Sequence, residues 1–298
     1  MSLRATTSLP NASSGPDVLL GTNADGTPIS FLEANWPFVS WALFLFGAGM
    51  LFAKRHKRDD HWYGWLAMVA YCLHQSEEHA YDLRGWRYSF VPSLNDGPIS
   101  ELFAQACHDF YESSGSGSDI STATGVVSCP LDPKITLWVN TILVWGGFGG
   151  CMVFAEIWPS RFLFSGSLNW GTAVVNGLFG HVLPAILTNS YNPGVVQSIC
   201  MVPLGIKIIL ASGRPLLCLA NGVICHLFLI LGVNIVFRFR TNETITMSIL
   251  MFLVALPIPL AISNAVLVGA NYKYDGDKTR NRNRKSKISS SSETIKNQ

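Results

Sequence analysis

Charge is scarce in this chain. Only 13% of its 298 residues are Asp, Glu, Lys or Arg, about half the share of an ordinary soluble domain. The shortage is uneven, because the charges gather near the two ends and in short stretches between long apolar runs. That pattern excludes a soluble globular enzyme and a disordered chain, and it points to several membrane spans. Other signatures are missing as well. Residues 1–35 are rich in Ser, Thr, Asn, Gly and Pro and hold no continuous apolar stretch that would read as a secretory signal. The seven cysteines include no Cys-x-x-Cys pair. There is no nucleophile elbow, no phosphate-binding loop and no nucleic-acid module, so no nucleic-acid partner is expected.

What the sequence does hold is seven segments long and apolar enough to cross a hydrocarbon core of roughly 30 Å. They cover residues 36–53, 61–82, 135–158, 163–187, 194–211, 216–237 and 245–270. The fold class expected is therefore all-α, a polytopic membrane helix bundle, since only helices and closed barrels satisfy the backbone in lipid. Pro257 and Pro259 lie inside the last segment and predict a kink there. Residues 1–35 form a polar, disordered segment in this scheme, 36–270 the transmembrane domain, and 271–298 a basic, disordered tail that reads first as a solvated topology anchor and second as a run suited to anionic lipid. Lys54, Arg55, Lys57 and Arg58 join the first two spans. By the positive-inside rule they are cytoplasmic, which gives an outer N-terminus and a cytoplasmic C-terminus. The membrane is either endomembrane, such as the endoplasmic reticulum, or plasma membrane.

Under this topology residues 83–133 form a long non-cytosolic loop. Its centre, 113–124, reads as a Ser/Gly linker, and 99–111 as a short amphipathic helix. Cys107 and Cys129 are the two cysteines of that loop and a candidate disulfide in an oxidising lumen. The other five read as buried thiols. The sequons at Asn11 and Asn242 both fall on the non-cytosolic side as candidate glycosylation sites.

The second span is the unusual one. It ends in Tyr71-Cys72-Leu73-His74-Gln75-Ser76-Glu77-Glu78-His79-Ala80-Tyr81-Asp82. At 3.6 residues per turn, Glu77, Glu78, Tyr81 and Asp82 fall within an arc of roughly 140° around His74, with His79 to one side. A carboxylate at mid-membrane costs about 2.5–3.5 kcal/mol to insert, so such a face must look into the bundle or a watery cavity. Counting from His61, His74 stands about 20 Å and Asp82 about 31 Å up the helix. Asp82 and His79 can thus reach the interface, whereas His74 and the two glutamates stay in the core. On the fourth span His181 rises about 27 Å, to the level of Glu78. Asn176 shares its helix, the Tyr191-Asn192-Pro193-Gly194 turn closes the same side, and Asn140 enters from the third span. His226 reads as a hydrogen-bonded core histidine and Glu156 as interfacial.

Imidazole with carboxylate binds zinc, iron or manganese. His74 and Glu78 have the i, i+4 spacing that lets one helix give two ligands, and His181 offers a third. Glu77 is then the candidate general base, with Tyr81, Asp82, Asn140, Asn176, Tyr191 and Asn192 in support. The chemistry implied is a hydrolase-like, metal-dependent enzyme acting within the bilayer on a lipid or other apolar substrate. The same constellation also suits a proton- or cation-coupled transporter, or a structural membrane protein.

At these residues the chain resembles the HXXEE-motif family of multi-pass membrane proteins, here His74-Gln75-Ser76-Glu77-Glu78. The similarity extends through Asn176, His181 and the turn Tyr191-Asn192-Pro193-Gly194. It spans the region from the first span to the fifth or sixth. The long loop, the extra C-terminal spans and the basic tail depart from the compact family form. The resemblance implies an integral membrane protein and supports the site, but the family's biochemical function is unestablished and it names no substrate.

Overall fold

A computed structural model describes Asn23, residues 27–95 and residues 131–269. Asn11, Cys107, Cys129, the 99–111 segment, the Ser/Gly linker and the basic tail all lie outside the described residues. The described chain is all-helical. It forms α1 (Phe31–Ala53), α2 (60–80), the short α3 (Phe90–Asn95), α4 (Pro133–Ala155), α5 (Pro159–Thr188), α6 (Val195–Ala211), α7 (Pro215–Phe239), α8 (Glu243–Ala255) and α9 (Pro257–Gly269). Five rods are long and apolar enough to cross a membrane: α1, α4, α5, α7 and the α8–α9 pair. Between them pack α2, whose polar end dilutes its hydropathy, and α6, which has 17 residues.

Boundaries follow local chemistry. α1 begins at Phe31 rather than at Trp36, because Ser30 and Glu33 form a reciprocal capping box and Pro37 is accommodated in a tight turn. Asp59, Asp132 and Asn242 cap α2, α4 and α8 through their side chains. Asn242, exposed, thus has its Oδ1 engaged by the Ile245 amide at 3.0 Å. The kink expected in the last span is a break at Leu256, whose backbone leaves the helical region just before Pro257.

In a lipid-facing bundle the helices associate by close backbone approach and buried polar ties rather than by hydrophobic exclusion. α5 and α7 touch at glycines: a Cβ on Gly171 would stand 1.7 Å from the Cys218 carbonyl oxygen, and one on Gly222 would stand 2.4 Å from that of Gly171. Asn221 donates to the Leu168 carbonyl at 3.1 Å, and Asn169 to that of Ala255 at 3.2 Å. Tyr71 packs edge to face on both Phe148 and Trp170 at the centre, and those two rings are tilted against each other, with ring centroids 5.3–6.2 Å apart. Cys72, Cys151, Cys218 and Cys225 are buried thiols as expected, whereas Cys200 is exposed on the outward side of α6. At the end of the bundle where α1, α2 and α4 meet through residues 54–65 and 156, Glu156 binds Lys54 at 2.6 Å and the Trp65 indole at 3.0 Å. It is more than interfacial: it fastens the three helices together.

Three helices widen where they approach the opposite end. Residues 76–80 of α2, 139–149 of α4 and 176–182 of α5 are π-helical. Such turns insert a residue, rotate the side chains beyond it and recur at functional sites. All three widened stretches contribute to the wall of one cavity, through Glu78, Asn140 and Asn176.

Candidate metal centre

The centre forms where the end of α2 meets α5 and the turn between α5 and α6. His74 Nε2 lies 3.3 Å from Glu78 Oε1, and His181 Nε2 lies 3.0 Å from the same oxygen. The two imidazoles meet edge to face at 4.6 Å, and both are fully buried. Glu78 is 3% exposed, so three ionisable groups converge in a volume closed to bulk solvent. Each offers one ligand atom, and the three atoms lie within 4.8 Å of one another.

The far side of each ring decides what the near side can do. His74 Nδ1 donates to the Gly194 carbonyl at 3.0 Å. His181 Nδ1 donates to the Pro193 carbonyl at 2.7 Å and lies 2.9 Å from Asn192 Oδ1. A carbonyl only accepts, so both Nδ1 atoms carry the hydrogen and both Nε2 atoms of the neutral rings present lone pairs towards Glu78. Two lone pairs and a carboxylate repel unless a proton or a cation sits among them. The Nε2 of His74 makes no aligned hydrogen bond despite its closeness to Glu78. Ligands about 2.0–2.2 Å from a shared ion stand roughly 3 Å apart, which is the spacing found here. Orientation of ligating rings by backbone carbonyls is the usual supporting arrangement for histidine at a metal. His74, Glu78 and His181 therefore form a group that can hold a metal ion.

Gly194 makes the convergence possible. Its φ of +92° is open to glycine at no steric cost, and a Cβ there would meet His181 Cε1 at 2.7 Å and His74 Cε1 at 2.8 Å. The turn also starts α6, and the first turn of a helix carries free amides. Glu77 caps it: Oε2 accepts from the Gln197 amide at 3.2 Å, and Oε1 from the Tyr191 hydroxyl at 2.8 Å. Burial first, and then the neighbouring Glu77 carboxylate, push the Tyr191 phenol above its ordinary value, although the Leu83 amide opposes this. Tyr191 consequently stays a donor.

The other face of Glu78 belongs to a second network. Its Oε2 lies 3.5 Å from His79 Nε2, which lies 3.4 Å from Asn140 Nδ2. Asn140 Oδ1 accepts from Gln75 Nε2 at 2.9 Å, and Gln75 Oε1 accepts from the Trp145 indole at 2.9 Å. Asn176 stands on the α5 side, with Nδ2 3.4 Å from His181 Nε2. His181 is stacked on Phe90 of α3 at 4.4 Å, and His79 packs against Trp36.

The helical wheel misplaces three residues here, for one reason. The Tyr81 amide bonds back to the Ser76 carbonyl, five residues earlier, and the helix ends at Ala80 with Tyr81 extended. His79 is thereby turned inward and 2% exposed instead of standing aside. Tyr81 points out, 56% exposed, and does not reach the centre. Asp82 leaves the face too, accepting from the amides of Arg84 and Trp86 and pairing with the Arg84 guanidinium at 2.7 Å. Residues that the sequence does not single out also contribute. Gln75 was legible only as a filler position of the motif, and nothing in the sequence marks Phe90 or the Pro193 and Gly194 carbonyls as partners of the rings.

A cavity of about 100 Å³ opens beside Glu78 and His79. Leu131, Ile135, Val139, Leu143 and Leu229 give it mainly apolar walls, and Asn140 and Asn176 join them in the lining. Residues 65–208 match the family described as "Protein of unknown function with HXXEE motif", and the resemblance read from the motif holds over that span. No curated protein and no solved structure matches the chain.

Proposed function

We propose that this protein is a seven-span integral membrane metalloenzyme that hydrolyses a lipid or another apolar substrate, with its centre beneath the non-cytosolic surface. One observation carries the reading: two buried imidazoles, each tied by Nδ1 to a backbone carbonyl, turn both Nε2 atoms on one carboxylate oxygen. In this scheme α2 and α6 complete the five longer spans, the N-terminus is outside and the C-terminus cytoplasmic. The membrane is endomembrane or plasma membrane. His74, Glu78 and His181 are the ligands of zinc, iron or manganese. A divalent metal held there supplies a Lewis acid and, at neutral pH, a nucleophile from water.

The chain's own groups do the rest. Glu77, fixed by two donors, keeps a lone pair on each oxygen and serves as general base. Tyr191 and Asn192 hold Glu77 and His181 in register, while Asn140 and Asn176 stand beside His79 and His181 in the cavity lining. The apolar walls receive the substrate chain and keep bulk water from the reacting group.

The test is incubation of the metal-loaded protein, purified in detergent, with a total membrane lipid extract, followed by mass spectrometry. Wild type is expected to convert one lipid class to products that are absent with Glu77→Gln or Glu78→Gln. Equal profiles for all three proteins overturn the enzymatic reading. If Glu77→Gln instead abolishes a pH-driven flux into liposomes and no lipid changes, the transporter reading replaces it.

A further inference from the structure

The cavity beside Glu78 has a floor. Tyr71 of α2, Val144 of α4, Thr172 of α5 and Cys225 of α7 all line it, and all four are buried. Counted from the helix ends at residues 60, 155, 159 and 215, which share one side of the bundle, these four stand about 15–20 Å along and Glu78 about 27 Å along. The fully buried rings of Phe148 and Trp170 pack on Tyr71 and back the floor.

The two ends of the cavity differ in chemistry. At the inner end Thr172 is hydrogen-bonded to the Cys225 thiol, and His226 donates from Nδ1 to the Gly222 carbonyl at 2.7 Å. Leu143 and Leu229 form the wall above them. At the outer end stand Glu78 and Asn176, the latter with Nδ2 3.4 Å from His181 Nε2. The polar end therefore abuts the candidate metal centre, and the inner end is a mainly apolar recess. Its size limits what enters. An apolar cavity of about 150 Å³ accepts a benzene ring, with its six carbons. On that scale the 100 Å³ found here accepts about four carbons.

We propose that this recess measures the substrate: the bond that reacts at the metal carries, on the side entering the bundle, a short apolar arm of about four carbons. Each methylene that fills the recess leaves water and gains contacts, whereas a longer arm meets the packed floor. The substrate class is thus a short-chain acyl derivative, and any longer portion of the molecule stays on the outer side. The proposal deepens the metal-centred reading and rests on it.

The straight-chain alkyl hydroxamic acids from aceto- to octanohydroxamic acid serve as probes, because a hydroxamate chelates zinc while its arm explores the cavity. Isothermal titration of the zinc-loaded protein is expected to show affinity rising about fourfold per methylene up to an arm of about four carbons, and by less than about twofold per methylene beyond it. Leu143→Ala enlarges the wall and is expected to move that break to arms about two to three carbons longer. Leu143→Phe fills the recess and is expected to move it to shorter arms. Uptake of the longer probes by detergent is the same for all three proteins, so a shift between them belongs to the cavity. Affinity that climbs unbroken to octanohydroxamic acid in wild type, or a break at one length in all three proteins, overturns the proposal and leaves the metal centre standing. Zinc-loaded protein that binds none of the probes overturns the metal-centred reading and the proposal with it.

Discussion

Gly194→Ala is the sharpest perturbation of the centre, because it adds one carbon where two imidazoles converge. The new Cβ would stand 2.7 Å from His181 Cε1 and 2.8 Å from His74 Cε1, whereas ordinary contact begins at 3.4 Å. Each ring must therefore withdraw by about 0.6–0.7 Å, several times the roughly 0.2 Å tolerance of a metal–ligand distance. The same carbon strains a backbone held at φ +92°, at a cost of roughly 1–2 kcal/mol. Gly85→Ala separates the two effects: its φ is +81°, yet nothing lies within 4 Å of the added carbon. Both variants are expected to lose stability through the backbone. Only Gly194→Ala is expected to lose metal affinity, by about 10–100-fold, the loss usual when groups supporting a ligand are disturbed. Competition titration against a fluorescent zinc chelator measures it. Wild-type affinity in Gly194→Ala, or an equal loss in Gly85→Ala, would refute the convergence of the two rings on one ion.

Two further outcomes test the frame around the centre. Gly222→Val places side-chain atoms against the Gly171 carbonyl, only 2.4 Å from the first added carbon; separating α5 from α7 is expected to cost about 1–3 kcal/mol or more, read as a lower unfolding temperature in detergent. Glu156 supplies a pH dependence. Burial raises its carboxyl, but hydrogen bonds from Lys54 and Trp65 and the Lys54 and His61 charges outweigh that and hold it below its ordinary value of 4.5. A depressed carboxyl contributes stability that is fully present above 4.5 and fades as the pH falls through the lower, folded value. The difference in melting temperature between wild type and Glu156→Gln should thus be present at neutral pH and vanish in acid, within the small range expected of a partly exposed pair. A difference that persists unchanged at low pH would dissociate Glu156 from the stability of this corner.

Sequence and structure agree where the physics is one-dimensional. Hydropathy locates the helical segments, because a bilayer demands length and apolarity and little else. Depth, counted at 1.5 Å per residue, brings His181 to the level of Glu78, and the 3.0 Å contact between them lies where that count places it. The i, i+4 pairing of His74 and Glu78 persists, at 3.3 Å, although Glu78 already lies within the widened stretch. What fails is the angular count beyond Glu78. A π turn has no sequence signature comparable to a proline, and it carries His79 inward and Tyr81 outward. The backbone carbonyls that orient the rings were equally illegible, since a carbonyl has no letter in a sequence. Pro193 and Gly194 were readable as a turn, but not as acceptors 2.7 and 3.0 Å from two histidines.

The central claim is that His74, Glu78 and His181 bind a metal ion, and elemental analysis of the detergent-purified protein tests it most directly. Wild type beside Glu78→Gln and His181→Ala, each reconstituted with zinc, iron or manganese and then desalted, is the comparison needed. A single equivalent of one metal retained by folded wild type, and lost from both variants, is the result predicted. Folded wild type that retains none of the three metals, or variants that retain as much as wild type, would contradict it.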